Sequence, residues 1–164
     1  MYKFKEVILS NINNNQINNI LNKKLIKVDM TFMFFNCKAL NKINFSYNND
    51  KRLLSMSYML CHCRSLQELN ISFMNYNNYL ICSDHMFNDC SSLEEIVLWN
   101  LNFKYIKNME FMFFAYSSLK DINLNNFVFN DKIKISSMLK DCPKTLKNYF
   151  KDKYEILDNE AYFY

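Results

Sequence analysis

The chain has no glycine and a single proline, Pro143, in 164 residues. No stretch therefore reads as a Pro- or Gly-rich linker, and one domain is expected, residues 1–164, long enough to bury a continuous core. Without glycine, the tight bends fall to other residues. Asparagine makes up about one residue in six and is the expected substitute, because it tolerates left-handed backbone angles and bonds to its own local backbone. Asn48-Asn49, Asn77-Asn78 and Asn125-Asn126 each follow a predicted strand. An AT-rich genome would enrich Asn, Lys, Ile, Tyr and Phe together, and both causes fit the composition.

Long apolar runs are missing too. Nothing approaches the roughly 18 apolar residues of a membrane helix, and Met30 to Phe35 is too short to span anything. Lys3 and Lys5 make a basic start, but Val7-Ile8-Leu9 stops at Ser10 and polar Asn follows, so a secretory signal core is absent. These absences predict a cytoplasmic chain with no membrane segment. The net charge is only +4 and the lysines are dispersed, with Lys23-Lys24 a pair rather than a patch. A nucleic-acid partner has little electrostatic support.

What the chain does have is a period. Met33, Met59, Met86, Met112 and Met138 are spaced by 26 or 27 residues. Four residues after each stand Cys37, Cys63, Cys90, Tyr116 and Cys142. Three further on come Leu40, Leu66, Leu93 and Leu119, with Leu146 one place late after Pro143-Lys144-Thr145. Ile43, Leu69, Ile96 and Ile122 follow, and two later Phe45, Ile71, Leu98 and Leu124; this alternation predicts a half-buried strand. Three residues before each methionine lie Met30, Met56, Ser83, Met109 and Ile135, and one after lie Phe34, Leu60, Phe87, Phe113 and Leu139. Offsets of three and four place these on one face of a short helical or 3₁₀ turn. A fixed period in the range of about 20–50 residues marks a solenoid, whose units bury their apolar faces only by stacking.

The pattern Met56-Ser57-Tyr58-Met59-Leu60-x-x-Cys63-Arg64-Ser65-Leu66-x-x-Leu69-x-Ile71-Ser72, with its copy Met86-Phe87-Asn88-Asp89-Cys90-Ser91-Ser92-Leu93, resembles the BspA-type leucine-rich repeat of bacterial and mycoplasmal surface proteins. The resemblance covers roughly residues 28–146. It implies an α/β leucine-rich-repeat horseshoe, with stacked parallel strands on one face and short helical or 3₁₀ turns on the other. It also implies adhesion or protein recognition at a cell surface, which makes the surface the alternative location, and it implies no catalytic residue. The chain departs from the family's habit in lacking both an export signal and glycine.

The resulting organisation is an irregular N-terminal repeat or cap (1–29), five repeats (30–146) and a C-terminal cap (147–164). In the first segment Phe4, Val7 and Leu9 suggest a leading strand. Ile12, Ile17, Ile20 and Leu21 then sit at helical offsets among Asn-rich interruptions, either an expanded convex helix or a mobile loop over residues 11–24. From Tyr149 onward the period is lost, as at the caps of solenoids.

The six cysteines suggest two sharper readings. Recurrence of Cys37, Cys63, Cys90 and Cys142 at one phase is best explained by a small buried site, since free Cys is among the most buried residue types. Cys61-His62-Cys63 and Cys82-x-x-His85 look like metal half-sites, but a closed zinc site needs four convergent ligands and these lie one coil apart at different phases. No third group orients a Cys/His nucleophile. No metal, cofactor or catalytic residue is assigned, and a cysteine-dependent metal or redox protein is the weakest of three readings. The sequons Asn44-Phe45-Ser46 and Asn70-Ile71-Ser72 fall on predicted strands and are chance matches in an Asn-rich chain.

Once the periodic residues are assigned to structure, the outward columns of the strands remain: Lys42, Glu68, Glu95 and Asp121; Asn44, Asn70, Val97 and Asn123; Ser46, Ser72, Trp99 and Asn125. Stacked carboxylates roughly 5 Å apart repel one another unless solvated or paired. An aromatic anchor rimmed by acids is a protein-binding chemistry. The expected function is a non-enzymatic recognition scaffold that binds a protein or peptide through Trp99, Val97, Glu68, Glu95, Asp121, Asn70 and Asn123. The alternatives are an adhesin-like repeat protein and the cysteine-dependent protein above.

Overall fold

The computed structural model describes residues 27–47, 52–73, 80–98, 103–123 and 132–154. The expected N-terminal strand, residues 11–24 and the three Asn-Asn pairs lie outside these. The strands are β1 (Lys27–Asp29), β2 (Lys42–Tyr47), β3 (Arg52–Ser55), β4 (Glu68–Phe73), β5 (Glu95–Val97) and β6 (Asp121–Asn123). Among the described residues a 3₁₀ turn, Phe103–Tyr105, lies between β5 and β6, and one α-helix, α1 (Lys144–Tyr154), follows β6.

Pairing follows the sequence period. β2 and β4 are parallel, running from Lys42 opposite Glu68 to Tyr47 opposite Phe73, and β5 and β6 are parallel with Glu95 opposite Asp121. A second parallel ladder begins with β1 and β3 and continues as single bridges, Ser55 to Cys82, Cys82 to Asn108 and Asn108 to Lys134. The chain thus crosses two fixed lines once per repeat, where the sequence suggested one strand per repeat. The second line carries its own core column of Leu53, Leu80, Ile106 and Ile133, all buried, which the strand pattern Leu-x-x-Ile does not mark.

Between the two lines lies a six-residue turn in every repeat, residues 31–36, 57–62, 84–89, 110–115 and 136–141. Where a helical or 3₁₀ turn was expected, the turn takes an alternating form. A helix would direct every amide N–H to its own preceding turn, but here the donors alternate. Met33, Phe35 and Cys37 donate to carbonyls three residues back, while Met30, Phe32, Phe34 and Asn36 donate across to Ser55, Ser57, Met59 and Cys61 of the next coil. The same four cross-coil bonds recur at the next three junctions, at 2.8–3.1 Å. Alternation of this kind requires the chain to reverse its local twist, and the second and sixth residue of each turn have positive φ: Phe32 and Asn36, Tyr58 and His62, His85 and Asp89, Phe111 and Ala115, Ser137 and Asp141, at 53–63°. Only one of these ten is asparagine. The left-handed region costs a non-glycine residue about 1–2 kcal/mol, and in the first four turns the coil stack holds these residues there by consuming their N–H groups. Side chains add to this. Phe32, Tyr58, His85 and Phe111 lie one above another, Phe32 on Tyr58 with ring centroids 4.8 Å apart, Tyr58 on His85 at 4.4 Å and His85 on Phe111 at 4.6 Å, all near-parallel.

The inward side of the turns and strands is the core. Met30, Met56, Met59, Met86, Met109, Met112 and Met138 have no exposed surface, and Phe34, Leu60, Phe87, Phe113 and Leu139 form the column beside them, with Phe87 stacked on Phe113 at 5.8 Å. Each such side chain contributes roughly 1.5–3 kcal/mol of burial. The fifth coil is closed by α1. Pro143 precedes the first helical residue, a position that needs no amide hydrogen. Leu146 and Phe150, one turn apart, are both buried, with the Phe150 ring 6.0 Å from Phe113. Leu146 is therefore a helix residue facing the core, not the displaced repeat leucine of the sequence alignment.

Candidate functional site

The outward columns of the strand ladder come from β2, β4 and β5, whose inward partners Ile43 and Ile96 are buried and Leu69 partly so. Alternation across the pleat then forces Lys42, Asn44, Glu68, Asn70, Glu95 and Val97 to the other face. There they line, with Gln67, a shallow groove of about 300 Å³. Four of the seven residues picked from the sequence, Glu68, Asn70, Glu95 and Val97, thus meet in one groove. Asp121 and Asn123 are placed opposite Glu95 and Val97 by backbone register. Trp99 lies outside the described residues.

The acidic column is partly neutralised. Lys42 Nζ is paired with Glu68 Oε2 across β2 and β4, and Lys120 Nζ reaches Glu94 Oε2 at 2.7 Å. Both pairs are exposed, worth about 0–1 kcal/mol each. Lys120 therefore serves the carboxylate before Glu95, and among the described residues no cation pairs with Glu95. The groove offers amide donors and acceptors from Asn44, Gln67 and Asn70, a carboxylate at Glu95 and apolar surface from Ile43, Leu69 and Val97, the last of them half-buried. This arrangement can hydrogen-bond a polar or cationic chain; it presents no nucleophile and no general base paired to one.

The cysteine column is a packing device. Cys63, Cys90 and Cys142 are buried, and each thiol donates to a carbonyl of the preceding coil: Cys63 Sγ to Phe34 O at 3.0 Å, Cys90 Sγ to Leu60 O at 3.1 Å, and Cys142 Sγ to Phe113 O at 2.8 Å. All six thiols are free. Burial pushes Cys61 and Cys63 up to about 12 and Cys142 to about 11, and holds Cys90 well above the usual thiol range. Thiols so held carry almost no thiolate at neutral pH and make poor nucleophiles and ligands. Tyr116 fills the same column, fully buried, its hydroxyl pushed up by burial and without a hydrogen-bond partner. The two half-sites do not converge either. His62 Nδ1 is 2.9 Å from Asp89 Oδ2, which also receives Arg64 at 2.7 Å, while His85 sits inside the ring stack with Asn88 Nδ2 3.0 Å from its Nδ1. Among the described residues no three His, Cys, Asp or Glu side chains are grouped to hold a metal ion.

The sequence reading passed over the turn surface. An aromatic ring stands immediately before Met33, Met59, Met86 and Met112, and that recurrence was the available signal; it was hidden because the four rings are chemically mixed. Among the described residues no helix is long and apolar enough to cross a membrane. No family model, no curated protein and no solved structure matches this chain.

Proposed function

We propose that the protein is a non-enzymatic recognition scaffold of the leucine-rich-repeat type and binds a protein or peptide through its strand face. The observation that supports this reading is the convergence of Glu68, Asn70, Glu95 and Val97 on one groove whose walls, Gln67 apart, are strand residues. Rigid strands fix the spacing of these side chains, so little ordering entropy is lost when a partner docks. The groove sets amide and carboxylate groups beside three apolar side chains, which suits a polypeptide with its own hydrogen-bonding backbone better than a small, wholly apolar ligand. The 26-residue phase and its likeness to the BspA-type repeat support the same class of function.

Glu95 and Asn70 are exposed, and among the described residues no side-chain hydrogen bond or ion pair is made by either. Glu95→Lys and Asn70→Lys are therefore expected to abolish capture of the partner by immobilised protein, read by quantitative mass spectrometry against wild type, with an unchanged circular dichroism melt. Undiminished capture by both variants would remove the strand face as the binding surface.

A further inference from the structure

The outer surface of the turns is a second, separate feature, on the opposite side of the turn backbone from the buried methionines. Its centre is the ring stack of Phe32, Tyr58, His85 and Phe111, which spans three coil junctions, about 14 Å at the usual interstrand spacing. Two further rings lie edge-on against it. Phe35 contacts Phe32 at 5.4 Å, His62 at 5.7 Å and Tyr58 at 6.4 Å, and Phe114 contacts Phe111 at 5.7 Å. Phe32 is 48% exposed and Phe35 38%, and the remaining rings are half-buried. Stacking accounts for contacts between the rings but leaves this apolar surface facing water, which is costly unless something covers it.

Charge selects among the candidates. The residues beside the middle rungs are Asp84, just before His85, and Glu110, just before Phe111, in adjacent coils whose backbones are joined by the His85 N–H to Glu110 carbonyl bond at 2.9 Å. Asp84 accepts from Ser57 Oγ at 2.6 Å, which leaves its charge in place. On the other flank Asp89 is already occupied by Arg64 and His62, so that side is neutralised. A partner that covered the rings with apolar groups alone would desolvate two carboxylates, neither of which has an ion-pair partner among the described residues. Lysine or arginine side chains avoid that cost, because their aliphatic stems pack on the rings while their heads reach the carboxylates. An anionic partner is disfavoured by the same two groups.

We propose that the aromatic stripe of the turns is a docking surface for a basic, apolar polypeptide segment, with the rings taking its side-chain stems and Asp84 and Glu110 its cationic heads. This goes beyond the strand-face reading and does not depend on it.

The test titrates the full chain into a fluorescein-labelled peptide of alternating lysine and leucine, with the glutamate-leucine counterpart and phosphatidylglycerol vesicles as comparisons. Binding of the basic peptide is expected to be at least about ten-fold tighter than that of the acidic one and to weaken with salt. The double variant Asp84→Asn, Glu110→Gln should lose about ten-fold while its melt stays unchanged, since both substitutions preserve shape and hydrogen-bonding capacity. Glu95→Lys, in the strand groove, should leave this binding intact; loss in Glu95→Lys alone would assign the peptide to the groove. Equal binding of the acidic peptide, vesicle binding as tight as peptide binding, or an unaffected double variant would each overturn the proposal.

Discussion

Ala115 shows how a chain without glycine makes a left-handed bend. Its φ is 55°, in a region where a β-carbon crowds the following carbonyl at a cost of about 1–2 kcal/mol, and its methyl group belongs to no ring stack that would offset this. Asp89, by contrast, uses the same conformation to aim its carboxylate at Arg64 and His62. Burial works against that carboxylate, but the hydrogen bonds from Arg64 and His62 outweigh it and hold Asp89 below the usual carboxylate range. Ala115→Gly removes the clash and has only the extra freedom of the unfolded chain, roughly 0.5–1 kcal/mol, against it. The expected outcome is a protein more stable by about 0.5–1 kcal/mol in urea unfolding. Ala39, which lies in a turn with negative φ, is the control: Ala39→Gly should destabilise by a similar amount. A loss of stability in Ala115→Gly would show that the stack has already relaxed the strain.

At the scale of the element, the turn ribbon couples stability to pH through a single ring. His85 lies between Tyr58 and Phe111, and burial lowers its pKa; Asp84 and Glu110 oppose the shift and His62 adds to it. The folded state therefore binds this proton less readily than the unfolded chain, whose imidazole titrates near 6.5. The contribution of neutral His85 is complete above about pH 6.5 and is lost as the pH falls below it toward the lowered folded value. His85→Phe keeps the ring in the stack and removes the proton. Its urea midpoint should vary less than wild type's between about pH 7 and 5, and parallel curves for the two proteins would show that the ring titrates freely. This ribbon was the least legible part of the sequence. Methionines and leucines at a fixed phase declare a buried column because a core accepts few residue types. Phe, Tyr, His and Phe on an outer column read as ordinary surface variety, and alternating backbone twist has no residue signature once glycine is absent. The same limit explains why the form of the turn, helical or 3₁₀, stayed open in the sequence: offsets of three and four describe which side chains point inward, and Met30, Met33 and Phe34 do, but they do not say where the amide hydrogens go. On the candidate site, period-two alternation was enough to place Glu68, Asn70, Glu95 and Val97 on the outward strand face; that they line a groove is a property of three coils together, which no single repeat encodes.

For the whole molecule, the hydrogen bonds and strand pairs that join the coils run between residues 24–30 apart in sequence, so each coil is held by its neighbours alone. Such a stack behaves as a one-dimensional chain of units with interface terms, and damage should spread according to position. The middle coil, with Met86 fully buried, is bonded on both sides. Met86→Ala removes a core side chain at a cost of about 2–5 kcal/mol, and with it the surface on which the coils of Met59 and Met112 both rest. Phe150 in α1 is equally buried but lies at the end of the stack, where it supports the last coil and touches Phe113 of the fourth, and Phe150→Ala costs a similar amount, about 3–5 kcal/mol. Hydrogen exchange read peptide by peptide separates the two cases. Met86→Ala should lower protection in all five turns, whereas Phe150→Ala should lower it over residues 110–115 and 132–154 and leave the turns of Tyr58 and His85 close to wild type. If both variants lower protection uniformly, the coils unfold as one cooperative unit and the nearest-neighbour description fails. If Phe150→Ala alone frays, the helix is established as the plug that keeps the last coil's unpaired edge from opening first.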